Sequence, residues 1–172
     1  MGTRSLTAIL DEQGNEICVM YRQYDGYPSG HGLELAEFLK PFTIVNGYGM
    51  DDKAGQVANG MNDLAAQLVA HFKDGVGNIY LHAAGTRDAW EEYLYTVSWM
   101  EDPIRGVEYV IPRLKCEDIY HKKVLFDGPA AAFTGAEQAA SVVDDECIYC
   151  QKEFNHPNHA RNHYAVRHSV AV

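Results

Sequence analysis

The stretch Glu92-Tyr-Leu-Tyr-Thr-Val-Ser-Trp99, followed after one turn by Val107-Glu-Tyr-Val-Ile111, decides the fold. In the first run Tyr93, Tyr95 and Val97 alternate with Leu94, Thr96 and Ser98. That is the two-residue period of a strand, written in aromatic and β-branched side chains. Met100-Glu-Asp-Pro-Ile-Arg-Gly106 between the runs carries turn residues, and more strand-like sequence lies between Cys116 and Phe126. Consecutive strands joined by short connections predict an antiparallel meander.

Toward the N-terminus, Ser5–Leu10 and Glu16–Arg22 flank the turn cluster Asp11-Glu-Gln-Gly-Asn15 and read as a hairpin. The second arm is apolar on both sides, Ile17, Val19 and Tyr21 against Cys18 and Met20, which predicts cover on both faces. Leu33, Leu35, Ala36, Phe38 and Leu39 suit a short helix ending before Pro41. Phe42–Val45 reads as a short strand. Met61, Leu64, Ala65, Leu68 and Phe72 recur at helical spacing, with Asn59 or Asn62 as the cap and Asp74-Gly75 at the close. Ile79 and its neighbours form one more strand. The expected architecture is α+β: over residues 1–128, an antiparallel sheet with two helices on one face. Gly128-Pro129 breaks the pattern, residues 129–145 read as an alanine-rich linker, and residues 146–172 stand apart.

The formal net charge of −10 over 172 residues argues against a broad nucleic-acid surface, which needs clustered Lys and Arg. No apolar run approaches the roughly 20 residues of a membrane span. Four cysteines are present. Cys18 and Cys116 are isolated in apolar or strand-like surroundings, whereas Cys147 and Cys150 are close-spaced beside histidines. A secreted disulfide scaffold would be denser and more even, so the expected setting is a reducing cytoplasm with one metal site and two buried thiols.

The C-terminal stretch from Cys147-Ile-Tyr-Cys150 to His163-Tyr-Ala-Val-Arg-His168 spells C-x2-C-x12-H-x4-H. A structural zinc ion takes four N or S donors in a tetrahedron, and this spacing supplies them as Cys147, Cys150, His163 and His168. Phe154 stands where a small ββα unit needs an aromatic plug, and Pro157 falls at a helical first turn, where its missing N–H costs nothing. His156 and His159 compete as ligands, but the spacing favours His163 and His168. The stretch resembles the C2H2 zinc-finger family from Cys147 to His168. It departs from the pattern at Ala160, where the family carries a large apolar core residue. In fingers that read DNA, the resemblance places His156, His159 and Asn162 at the base-facing positions. One unit covers only about three base pairs. Lys152, Arg161 and Arg167 against Glu153 give little phosphate attraction, so protein contact or stabilisation of the chain end is at least as well supported.

The second candidate site is the loop Tyr24-Asp-Gly-Tyr-Pro-Ser-Gly-His-Gly32. It delivers the chain to a helix start, where free N–H groups favour an anion. Arg4 and Arg22 lie near it in sequence or on strands expected beside it. Asp25 and His31 offer an acid–base pair, and an arginine offers a hold on phosphate or carboxylate. The ligand-binding candidates are therefore Arg4, Arg22, Tyr24, Asp25 and His31. The plainer alternative makes Asp25 a turn residue, Tyr27-Pro28 packing, and His31 an ordinary helix-start residue. His71 and His82, in apolar contexts, read as packed side chains. Gly2-Thr3-Arg4-Ser5 and Tyr24-Asp25-Gly26-Tyr27-Pro28 also resemble a group of small uncharacterised bacteriophage and prophage proteins, over residues 2–127. This resemblance implies a phage origin, hence host cytoplasm, and carries no established activity.

No Walker loop, nucleophile elbow or His-Glu-x-x-His pattern is present, so a binding protein is favoured over an enzyme. The leading expectation is a phage-type, zinc-binding interaction module. One rival is a domain that binds or hydrolyses a small anionic or nucleotide-like molecule at the Tyr24–Gly32 loop. The other is a regulator contacting DNA through the finger helix.

Overall fold

The computed structural model describes residues 2–47 and 56–135. Eight strands and two α-helices follow in the order β1 (Ser5–Leu10), β2 (Glu16–Arg22), α1 (Leu33–Leu39), β3 (Phe42–Val45), β4 (Gln56–Asn59), α2 (Gly60–Phe72), β5 (Ile79–His82), β6 (Tyr93–Asp102), β7 (Gly106–Asp118) and β8 (Lys123–Pro129). The chain is a mixed α+β fold. Among the described residues, no helix is long and apolar enough to cross a membrane.

The expected all-antiparallel sheet needs correcting. The strands form one mixed sheet in the order β4-β3-β7-β6-β1-β2-β5, with β8 also on β7. The hairpin β1–β2 and the meander β6–β7–β8 are antiparallel, as their short turns dictate. However, β1 runs parallel to β6, with Ser5 beside Tyr93 and Ile9 beside Val97, and β3 runs parallel to β4. The physical reason lies in the connection from β5 to β6. β5 pairs on the far side of β2, so the chain crosses β2 and β1 before β6 can start beside Ser5. A strand reached by such a crossing enters in the same direction as the one it joins. The strand period betrays none of this, because alternation is the same in parallel and antiparallel partners.

Both helices lie over one face of the sheet. Leu35, Ala36 and Leu39 of α1, with Met61, Leu64, Ala65, Leu68 and Phe72 of α2, share a cluster with Ile9, Met20, Tyr95, Val97, Leu114 and Cys116. The apolar stripe at helical spacing thus faces inward along the whole of α2. No side chain of Asn59 caps this helix. Instead the Glu12 carboxylate, in the β1–β2 turn, accepts the Met61 N–H at 2.6 Å, and Asp63 accepts the Asn59 N–H at 2.8 Å.

On the other face Leu6, Ala8 and Val19 are buried, flanked by Tyr21 and Leu94 of the neighbouring strands and packed against Ala89. Ala89 belongs to the crossing, which therefore covers this side. The second arm of the hairpin is covered on both faces, by Val19 beneath the crossing and Met20 beneath the helices. Past β8, Ala130 and Phe133 are buried in the main cluster, so the packed domain takes in the first residues of the stretch expected as a linker.

Candidate functional site

The Tyr24–Gly32 loop is built from backbone as much as from side chains. Asp25 sits at φ 56°, a left-handed conformation that a short polar residue tolerates, and its carbonyl accepts the His31 N–H at 2.8 Å. The Gly26 N–H donates to the Thr3 carbonyl at 3.0 Å, and the Gly26 carbonyl accepts the Tyr95 hydroxyl at 2.9 Å. Pro28 opens a wide, π-type turn over Pro28–Gly32, broken by non-helical backbone at Gly30 (φ −107°, ψ −106°), that runs into α1. Gly32 suits the tight space: a Cβ there would lie 2.9 Å from the Phe133 ring and 3.0 Å from the Tyr95 hydroxyl, so those side chains would have to shift.

This architecture drives His31 into the interior, where it is fully buried. Its ring stands edge-on to Phe72 at 5.1 Å and to Tyr95 at 5.6 Å between centroids. Its two nitrogens are both engaged, Nδ1 with Arg22 Nη1 at 3.0 Å and Nε2 with Thr7 Oγ1 at 3.2 Å. Arginine carries no acceptor, so Nδ1 accepts and the proton sits on Nε2, donated to Thr7. Arg22 also donates from Nε to the Tyr24 carbonyl at 2.9 Å and from Nη1 to Glu34 Oε2. The network ties β1, β2, the loop and α1 together.

The electrostatics follow from burial and charge. Burial holds the His31 imidazole below its ordinary 6.5, the Arg22 charge adds to that, and Glu34 opposes it. The His31 ring, when it carries a proton on Nδ1, and the Arg22 guanidinium together hold the Glu34 carboxyl down to about 2. Burial also raises the Tyr95 phenol well above its usual value and pushes the Cys116 thiol up to about 12. Apart from the ion pair of Arg22 and Glu34, the cluster is therefore neutral at physiological pH.

Of the five candidate ligand-binding residues, the structure brings Arg22 and His31 together. Tyr24 is exposed and joins them only through its carbonyl. The Asp25 carboxylate is exposed and has no hydrogen-bond or ion-pair partner among the described residues; its part in the loop is played by its backbone. Arg4 contributes its carbonyl, which accepts the Glu92 N–H at 2.9 Å. A half-open cavity of about 160 Å³ among the described residues lies elsewhere, lined by Leu39, Lys40, Ile104, Ile111, Pro112 and Ala131 where β7 passes from β3 to β8.

Thr7, Glu34 and Tyr95 complete the network without having been singled out. Two signals in the sequence point to Glu34 and Thr7. Glu34 follows His31 by three residues, one helical turn. Thr7 stands between Ser5 and Ile9 on the helix-facing side of β1, and a polar residue on an inward face asks for a polar partner. His71 stacks on Phe38 at 4.3 Å but is exposed, and the half-buried His82 lies edge-on to Tyr21 at 5.7 Å, so neither is a core side chain. Arg87 pairs with Glu16. No cluster of three or more His, Cys, Asp or Glu side chains suited to a metal ion exists among the described residues.

The proposed zinc ligands Cys147, Cys150, His163 and His168 lie outside the described residues, as do His156, His159 and Asn162. No family model matches the chain, and no curated protein or solved structure is detectably similar to it.

Proposed function

We propose that the chain is a non-enzymatic interaction module of phage type, an α+β domain carrying a C-terminal unit built around one structural zinc ion. The spacing C-x2-C-x12-H-x4-H carries this reading. Two thiolates and two imidazoles complete a tetrahedral zinc shell and leave no open position for substrate, which is the donor set of a structural site. Cys147, Cys150, His163 and His168 would hold the ion. With Ala160 thinning its apolar core, the unit draws its stability chiefly from the metal, on the order of 10–16 kcal/mol in small fingers.

The α+β domain supports a binding role over catalysis through what its polar residues already do. Arg22 is engaged by Glu34, His31 and a carbonyl, and His31 by Arg22 and Thr7. These side chains hold the domain together and do not converge with Asp25 or Arg4 on the cavity. The net charge of −10 favours a protein partner over nucleic acid.

Metal analysis of the purified full chain tests the proposal. One equivalent of zinc is expected, lost in Cys147→Ser. Protein without zinc overturns it. Salt-sensitive DNA binding that vanishes on chelation would move the reading to a regulator working through His156, His159 and Asn162.

A further inference from the structure

Arg22 is a donor at each of its nitrogens, so its 3.0 Å contact with His31 Nδ1 exists only while Nδ1 is unprotonated. A proton added there turns the acceptor into a donor and sets two cations against each other. An alternative acceptor is already close. Glu34 Oε2 lies 3.8 Å from the same Nδ1, just beyond hydrogen-bond reach, and is held by the same Arg22 nitrogen.

We propose that His31 is a proton-operated latch: when Nδ1 takes up a proton its N–H turns to Glu34, Arg22 is released from the ring, and the Pro28–Gly32 turn loosens from β2. One proton enters from solvent and no covalent bond changes. The packing around the ring specifies which groups respond. β2 presents Arg22, which opposes a charge on the ring, and α1 presents Glu34, which favours it. β6 presents Tyr95 with Cys116 of β7 behind it, both neutral through burial. β1 presents the Thr7 hydroxyl and α2 the Phe72 ring, neither of which titrates. Thr7 serves both states, because Nε2 carries its proton in each.

The sign follows from linkage. The buried ring binds its proton less readily than the unfolded chain does. The stability that neutral His31 supplies is therefore fully present above about pH 6.5. It is lost progressively as pH falls from there through the folded value. Glu34, held to about 2, stays ionised throughout that window and remains available as the new partner.

Imidazole nitrogen NMR of the isotope-labelled full chain between pH 8 and pH 4 tests the latch, with the Arg22 guanidinium and Glu34 carboxyl followed in parallel. The expected result is the Nε2–H tautomer at neutral pH and a midpoint below 6.5. Arg22 and Glu34 should shift at that same midpoint, before global unfolding. An Nδ1–H tautomer, a midpoint at or above 6.5, an Arg22 signal that does not respond, or unfolding in one step without a separate event would each overturn it. His31→Gln keeps a carbonyl that can accept from Arg22 and removes the titration. The Arg22 and Glu34 signals should then stay flat through the same range, and a transition persisting in that variant also overturns the latch.

Discussion

The two faces of the sheet solve the same problem with unequal means. One is roofed by α1 and α2, whose apolar stripes continue the core down to Phe72 and across to Phe133. The other is roofed by a single pass of chain between β5 and β6, which brings Ala89 over Leu6, Ala8 and Val19. A helix satisfies its own backbone and can spend its side chains on packing. An irregular crossing must find partners for its N–H groups one by one. Here Glu91 accepts the Ala89 N–H at 2.7 Å and the Asp88 N–H at 3.3 Å, Glu16 accepts the Gly85 N–H at 2.5 Å, and Arg87 pairs with Glu16. Asp88 and Trp90 even adopt left-handed backbone, at φ 60° and 63°. A bulky tryptophan is rarely found there. The helix face is held mainly by packing around one buried polar network, the crossing face by a small apolar cluster and local polar ties.

That contrast can be broken by experiment. The largest effect is expected from Leu64→Ala beneath the helices, about 3 kcal/mol of lost stability in denaturant unfolding. Val19→Ala beneath the crossing should cost about 1–2 kcal/mol, because an irregular segment can settle into the space left behind. Equal costs would mean that the crossing is packed as rigidly as a helix. Next comes Gly32→Ala, where the added methyl meets the Phe133 ring and the Tyr95 hydroxyl; about 2 kcal/mol is expected. Full stability in that variant would show that the loop and Phe133 yield independently. The smallest effect belongs to Arg87→Gln, about 0.5 kcal/mol, since the pair with Glu16 is partly exposed. Its signature is local: faster amide hydrogen exchange at Gly85 and Ala89, with Leu64 and Leu68 unchanged. A uniform rise across the domain would place the crossing inside the main cooperative unit.

Local periodicity carried most of the elements. The spacing of Met61, Leu64, Leu68 and Phe72 gave α2, and the alternation around Tyr95 gave β6, because burial on one face imposes those periods directly. Partners across short turns were legible, β2 for β1 and β7 for β6, whereas partners across long connections were not. Nothing in Ser5–Leu10 says that its second neighbour is Tyr93–Val97, and β4, only four residues long, carries too short a pattern to stand out. The candidate loop was legible as an unusual composition, and His31 and Arg22 do meet there. Their partners Thr7 and Glu34 each carry a sequence signal, but they come from separate elements, and their meeting around one ring is set by the fold. Asp25 shows the reverse. Its residue type invites an acid–base role, while the contact it makes is a carbonyl's.

The parallel seam between β1 and β6 has a consequence for how the chain is made. Ser5–Leu10 pairs at once with Glu16–Arg22, a local event, but its other edge waits for Tyr93–Val97 to emerge. Closing so long a loop carries an entropic cost that local contacts do not repay in advance. Until then the nascent hairpin offers an open strand edge, a feature that recruits other chains. The interval between synthesis of Arg22 and of Val97 is when this protein is most exposed to aggregation, and slowing translation within it should lower the soluble yield.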